Sequence, residues 1–206
     1  ILIVLPLSFN VEPYFSFTPG MLSFDPDAFS LRWYRDIFRN GMAAPDEPFN
    51  WAWFMDSWNN AQWMRAIRNS FFIGICATLL ATALGTLAAV GLSRSEMPHR
   101  RMIMSILISP MIVPLVITAA GMFFFYSRIH LSQTYLGVIM AHAVLGTPFV
   151  IITVTATLVG FDKSLVRAAN SLGAGPITTF RRVQMPLIIP GVVSGGLFAF
   201  ITSFDE

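Results

Sequence analysis

Four unbroken apolar runs, residues 69–92, 103–126, 135–159 and 186–204, constrain this chain more than anything else in it. Each is long enough to cross a hydrocarbon core that needs about 20 apolar residues. A backbone in lipid must satisfy its own hydrogen bonds, and barrel strands would alternate polar and apolar positions where these runs do not, so the spans are predicted to be helices. With 55% hydrophobic and 12% charged residues, the chain is too apolar for an ordinary soluble domain. The predicted fold class is an all-α membrane protein, a polytopic helical bundle.

Three regions follow along the chain. Residues 1–10, ILIVLPLSF and Asn10, are too short to span and lack a charged n-region or a small-residue cleavage site, so they read as the end of a first transmembrane helix. Residues 11–68 are rich in Asp, Pro and aromatic residues, and SLRWYRDIF and WAWFMDSWNNAQWMRAI have the pattern of amphipathic helices at an interface. All five tryptophans fall there, which fits an aromatic belt at the headgroups. Residues 69–206 form the transmembrane core, with a further helix expected after Glu206.

Basic residues set the orientation. Arg94, Arg100 and Arg101 in one turn, and Lys163, Arg167, Arg181 and Arg182 in another, share one side, which is therefore cytoplasmic. Residues 11–68, with seven acids against five arginines, belong outside. Gly74, Thr78, Ala81, Gly85 and Ala88, and then Gly146, Thr153, Thr157 and Gly160, recur at helical spacing and predict close helix packing. Pro110, Pro114 and Pro148 are expected to kink their spans. Cys76 lies in an apolar run and reads as a small buried hydrophobe.

One polar segment, RAANSLGAGPITTFRRVQMPLIIPG, interrupts this apolar chain. Asp162 is placed to cap a short helix with Leu165, Ala168, Ala169 and Leu172 on one stripe and Lys163, Arg167, Asn170 and Ser171 on other faces. Gly173 fits the left-handed position after such a helix, Pro176 can open a second short helix, PITTFRRVQM, and Pro186 introduces the next span. Two short helices joined by a glycine elbow suit either of two roles. They can lie at an anionic membrane surface, or they can form a knob that enters a partner protein.

The order Arg167-Ala168-Ala169, three residues, Gly173, nine residues, then Val183-Gln184-Met185-Pro186 resembles the E-A-A-x3-G-x9-I-x-L-P motif of ABC importer permeases of the inner membrane. The likeness extends from RNSFFIGICATLLATALGTLAA through the last apolar run, with residues 41–63 as an insertion. It implies a type I importer permease of about six spans, of which the first and last are cut short here. It also implies that the segment 162–185 is the coupling helix region, gripped by a separate ATPase. The resemblance gives coupling roles to Arg167, Ala168, Ala169, Ser171, Leu172, Gly173, Ala174, Arg181 and Pro186. Arg167 stands where the family usually has glutamate, which implies a matched acid on the ATPase or a sister permease carrying the usual residue.

The implied partners are a cytoplasmic ATPase dimer that binds ATP and Mg, a second permease, a periplasmic or extracellular substrate-binding protein, and membrane lipid. The chain itself lacks a G-x4-G-K-[ST] phosphate loop, and no catalytic, metal or cofactor motif or nucleic-acid partner is expected. The location implied is the bacterial inner membrane. AFITSFDE, SPMIVPLVITAAGMFFF and LGTPFVIITVTATLVGFDKSLVRAANSLGA look like the spermidine/putrescine branch. Asp205 and Glu206 are therefore candidates for the substrate path, where carboxylates would pair with a polyammonium cation, and His142 and Thr153 join them as polar groups inside a span. Against that stand solvated acids at a helix end and a histidine bonded to a neighbouring helix. Importers of opines, phosphonates, iron or amino-acid-derived compounds share the pattern, and a non-transporting scaffold or an ion channel are the readings from other classes.

Overall fold

The computed structural model describes residues 3–13, 16–94, 96–160, 162 and 164–206. It is 75% helical, with no strand among the described residues. Two compact units divide the chain, residues 1–69 and 70–206.

The first unit holds α1 (Val4–Leu7), α2 (Pro19–Leu22), α3 (Arg32–Arg39), α4 (Trp51–Asn60) and the opening turns of α5 (Gln62–Leu92). Asn10 ties it together from a nearly sealed position. Its side-chain amide donates to the Ser16 carbonyl at 2.8 Å, its Oδ1 accepts the Glu12 amide at 2.9 Å, and its own carbonyl accepts Trp33 Nε1 at 3.1 Å. Helix α4 is turned inside out. Its polar face points inward: buried Ser57 donates to the Phe38 carbonyl at 2.7 Å, and Asp56 accepts the amides of Ala43 and Ala44 and the side chain of Asn60. The Asn60 bond first, then those from Ala44 and Ala43, hold the Asp56 carboxyl below the usual carboxylate range. Its aromatic face points outward, with Trp51, Phe54 and Trp58 stacked at centroid separations of 5.5 and 6.2 Å.

Two expectations change here. Residues 51–67 are not one amphipathic helix, because extended Ala61 ends α4, and the next helix starts at Gln62, whose amide donates to the Asn40 carbonyl at 2.8 Å. The spanning helix thus begins at Gln62 rather than at residue 69, with Arg68 lying 5.2 Å over the Trp58 ring and donating to its carbonyl at 2.7 Å. The five tryptophans divide by environment. Trp33 and Trp53 turn their indole N–H groups to the carbonyls of Asn10 and Pro45, while Trp51, Trp58 and Trp63 stay exposed.

The second unit contains the rest of α5, then α6 (Arg100–Ile112), α7 (Leu115–Arg128), α8 (Tyr135–Val159), α9 (Ser164–Ser171), α10 (Pro176–Thr179) and α11 (Met185–Asp205). Its core lies where α5, α8 and α11 meet, around Ala81, Ala89, Val150, Val154, Ile188 and Ala199. In lipid there is no hydrophobic gain in bringing spans together, so close backbone approach through small residues has to do it. A Cβ on Gly85 would lie 2.6 Å from Val150 Cβ, and one on Gly146 would lie 2.8 Å from Ala199 Cβ. The predicted small-residue stripes run along this seam, except for Gly160, which is exposed past the end of α8.

Helices α5, α8 and the continuous stretch Pro176–Asp205 are long and apolar enough to cross a membrane. The run 103–126 is not a single continuous helix, although its two halves together are long and apolar enough to cross. It breaks at Val113 and Pro114, and α6 and α7 diverge by 99°. Pro114 has no N–H to continue the ladder, and its ring drives Val113 into the extended conformation seen there (φ −71°, ψ 133°). Pro110 and Pro148 sit inside α6 and α8 without ending them. A second correction concerns Pro186. The helix does not restart there; it runs on from Pro176 through a wide π turn, Phe180–Gln184, into α11. Pro186 lacks the N–H that an α turn would give to the Arg182 carbonyl, and the widened turn just before it lets the backbone pass without the clash.

Candidate functional site

The segment between α8 and α11 is built around its glycine. Asp162 starts it: Oδ1 accepts the Ser164 amide at 2.8 Å and Oδ2 accepts the Ser164 hydroxyl at 2.6 Å. These bonds, the hydroxyl's first, and then the charge of Arg167 hold the Asp162 carboxyl below its ordinary range. The helix that follows, α9, ends in a Schellman motif. Gly173, at φ +82°, gives its N–H to Asn170 at 3.0 Å, and Ala174 reaches back to the Ala169 carbonyl, also at 3.0 Å. Pro176 then opens α10 at a position where a missing N–H is harmless. Buried Thr179 donates to Asn170 Oδ1 at 3.2 Å, so a side-chain bond ties the two arms of the elbow.

This elbow carries apolar side chains with nothing over them. Leu172 is 88% exposed and Ile177 76%. Leu165 and Ala168 of the predicted stripe are bare as well, while Ala169 and Ala174 are half-buried against the chain. Arg167, Ser171, Arg181 and Pro186 are all exposed. Lys163 lies outside the described residues.

The four predicted substrate-path residues do not converge on one point. His142 Nδ1 lies 2.8 Å from the Ser203 hydroxyl and 3.1 Å from its carbonyl, joining α8 to α11. A cleft of about 510 Å³ runs between α7 and α8, and both His142 and Glu206 line it, with Tyr126 and Phe123 among its walls. Asp205 ends α11 without lining that cleft. Thr153 turns its hydroxyl back to the carbonyls of Phe149 and Val150 at 3.0 and 3.2 Å, on the face where α8 meets Gly195. It is part of the helix seam. Sequence reasoning missed Ser203 and Thr179, whose partners lie far along the chain. It also missed the buried, unpartnered hydroxyls of Thr82 and Thr86, which follow Thr78 of the predicted stripe at a spacing of four that was the available signal.

The inner membrane component of binding-protein-dependent transport systems is a family that matches residues 81–206, taking in the C-terminal part of α5 and everything after it. This chain belongs to that family. Over 184 residues it is 29% identical to the spermidine/putrescine transport system permease protein PotC of Haemophilus influenzae, a match covering 89% of this chain and 66% of the relative. It is 30% identical over 161 residues to the putrescine transport system permease protein PotI of Escherichia coli K12, covering 75% of this chain and 57% of the relative. The trehalose transport system permease protein SugB of Mycobacterium tuberculosis is 30% identical over 141 residues, covering 68% and 52%. The chain thus spans between about half and two thirds of the length of the curated relatives it matches. The family resemblance holds: this is a helical inner membrane component of a binding-protein-dependent transport system, with ABC permeases of the spermidine/putrescine branch among the proteins it is similar to.

Proposed function

We propose that this chain is the membrane-spanning permease subunit of an ABC importer, moving a small organic cation such as putrescine or spermidine inward by alternating access. The observation that carries the proposal is the elbow at Gly173. It is a rigid, doubly bonded corner between two spanning helices, yet it leaves Leu172 and Ile177 uncovered. A corner held so firmly and left so bare is built to be gripped from outside. In this reading a cytoplasmic ATPase dimer, holding ATP and Mg, receives it, and a second permease completes the path. Closure of the ATPases pushes the elbow, and because α10 continues into α11 without restarting, the push passes straight into a span. ATP hydrolysis belongs to the partner.

The cleft at Glu206 supports a polyamine cargo. A carboxylate and a histidine, with the neutral polar side chains of Thr118, Ser132 and Gln133, set in mostly apolar and aromatic walls suit alternating ammonium and methylene groups. The trehalose relative keeps a sugar as the second reading, since the same scaffold serves an uncharged solute there. The test is ATP turnover by the full-length complex in lipid nanodiscs with its binding protein, with putrescine, spermidine, trehalose and other small solutes added in turn. Stimulation by a polyamine alone is expected. Stimulation only by a sugar or another solute would keep the importer and discard the cation, and an intact complex that no solute stimulates would refute the importer itself.

A further inference from the structure

A second cleft, of about 650 Å³, lies where the end of α5 meets α9. Its inner wall is apolar and belongs to the ends of the spans: Leu87 and Val90 from α5, Leu158 from α8. Its outer rim carries two guanidinium groups, Arg94 just past α5 and Arg167 on α9, together with the carboxylate of Glu96 and the side chain of Gln184. Helices α5 and α8 end at Leu92 and Val159, so the apolar wall of the cleft belongs to the last turns of two spanning helices and its rim to the segments that follow them. An apolar floor under a rim with two guanidinium groups, at the ends of two spans, has the shape of one kind of ligand.

We propose that this cleft binds an anionic phospholipid from the adjoining leaflet, its phosphodiester between Arg94 and Arg167 and its acyl chains along Leu87, Val90 and Leu158. Guanidinium forks match phosphate oxygens in pairs, and basic pockets between spans are sites for lipid headgroups. The rim thus holds two arginines and one carboxylate, Glu96, with the Asp162 carboxyl close enough to Arg167 to feel its charge, so an anion is met by a pair of guanidinium forks rather than by a large net charge, which suits a singly charged phosphodiester such as phosphatidylglycerol. The site also gives Arg167 a partner beyond Asp162 without requiring a matched acid on the ATPase. A bound lipid would then connect the end of α5 to α9, so the membrane's own composition would bear on the coupling segment. The proposal goes beyond the transport reading and does not depend on which solute is carried.

The test is native mass spectrometry of the full-length complex released from nanodiscs of phosphatidylcholine mixed with phosphatidylglycerol, comparing wild type, Arg94→Gln, Arg94→Gln with Arg167→Gln, and Arg100→Gln, an arginine on the same side that does not line the cleft. The readout is the ratio of the two lipids retained, which a general loss of fold would not shift. Wild type and Arg100→Gln are expected to retain phosphatidylglycerol about tenfold over phosphatidylcholine, the ratio that about 1.4 kcal/mol gives. The single variant should lose part of that preference and the double variant all of it. An unchanged ratio in the double variant would overturn the proposal. Loss of the wild-type preference when inorganic phosphate is added would replace the lipid with a soluble anion.

Discussion

Replacing Gly173 with alanine isolates backbone strain from steric clash, because its φ is +82° and nothing lies within 4 Å of where a Cβ would stand. A residue with a Cβ enters that conformation at about 1–2 kcal/mol above its ordinary minimum. The closed elbow should therefore lose population by about five- to thirty-fold relative to wild type. Two substitutions bracket the result. Gly173→Asn should recover much of the loss, since asparagine tolerates the left-handed region. Gly175→Ala, at φ −68° and equally uncrowded, should change nothing. Amide exchange at Gly173 and Ala174 reports the elbow directly, and solute-stimulated ATP turnover by the whole complex reports its consequence. The expected result is faster exchange in Gly173→Ala by the same five- to thirty-fold, about 1–2 kcal/mol, with a matching fall in stimulation. Wild-type exchange in Gly173→Ala, or equal damage from Gly175→Ala, would show that the left-handed corner is not what holds the segment.

At the seam of the spans, Gly85→Val would set a side chain against Val150, whose Cβ already lies 2.6 Å from the alanine position. It should destabilise the bundle by about 1–3 kcal/mol, read as unfolding at a lower detergent fraction, while Gly91→Ala, with nothing within 4 Å, stays at wild type. The lowered pKa of Asp162 means that its contribution to α9 is complete above the unfolded value of about 3.9 and is lost as pH falls through the lower folded value. The protection of the Ser164 amide, the intrinsic exchange rate at each pH divided by the observed rate, should fall across that acid window in wild type and be already low and independent of pH in Asp162→Ala; protection that falls on raising the pH would contradict the assignment. Glu206→Gln in the full-length protein should reduce polyamine-stimulated turnover about tenfold, the loss of one charge-assisted bond, and Asp205→Asn, outside the cleft, should reduce it less. Equal effects from the two would remove Glu206 from the path.

Periodicity and turn chemistry made much of this molecule readable from its sequence. Apolar length located α8, and the glycines and small residues of α5 and α8 marked the seam, because in lipid only small side chains allow such approach. The elbow was readable because each of its parts has a local cause: a carboxylate before a helix, a glycine after it, a proline two residues beyond the next amide. What escaped depends on competition or on distance. Pro114 and Pro186 carry the same local signal, yet one ends its helix and the other is absorbed by a π turn, and nothing within a few residues decides between them. The tie from Thr179 to Asn170 and that from Ser203 to His142 join residues that only the folded chain brings together. Thr153 and Glu206 looked alike as polar groups in a path, but one faces a neighbouring helix and the other a cleft.

The break at Pro114 carries information about water. Where α6 stops, Val113 takes the Ser109 carbonyl and the carbonyls after it lose their helical donors; where α7 starts, the first amides have no carbonyl behind them. Hydrocarbon offers these groups nothing, so lipid tails cannot surround the break. Each half is also only 13 or 14 residues, about 20 Å of helix, too short to cross alone. The Val113–Pro114 corner therefore works as a hydration gauge written into the chain: at whatever depth it sits, there must be either solvent or protein beside it.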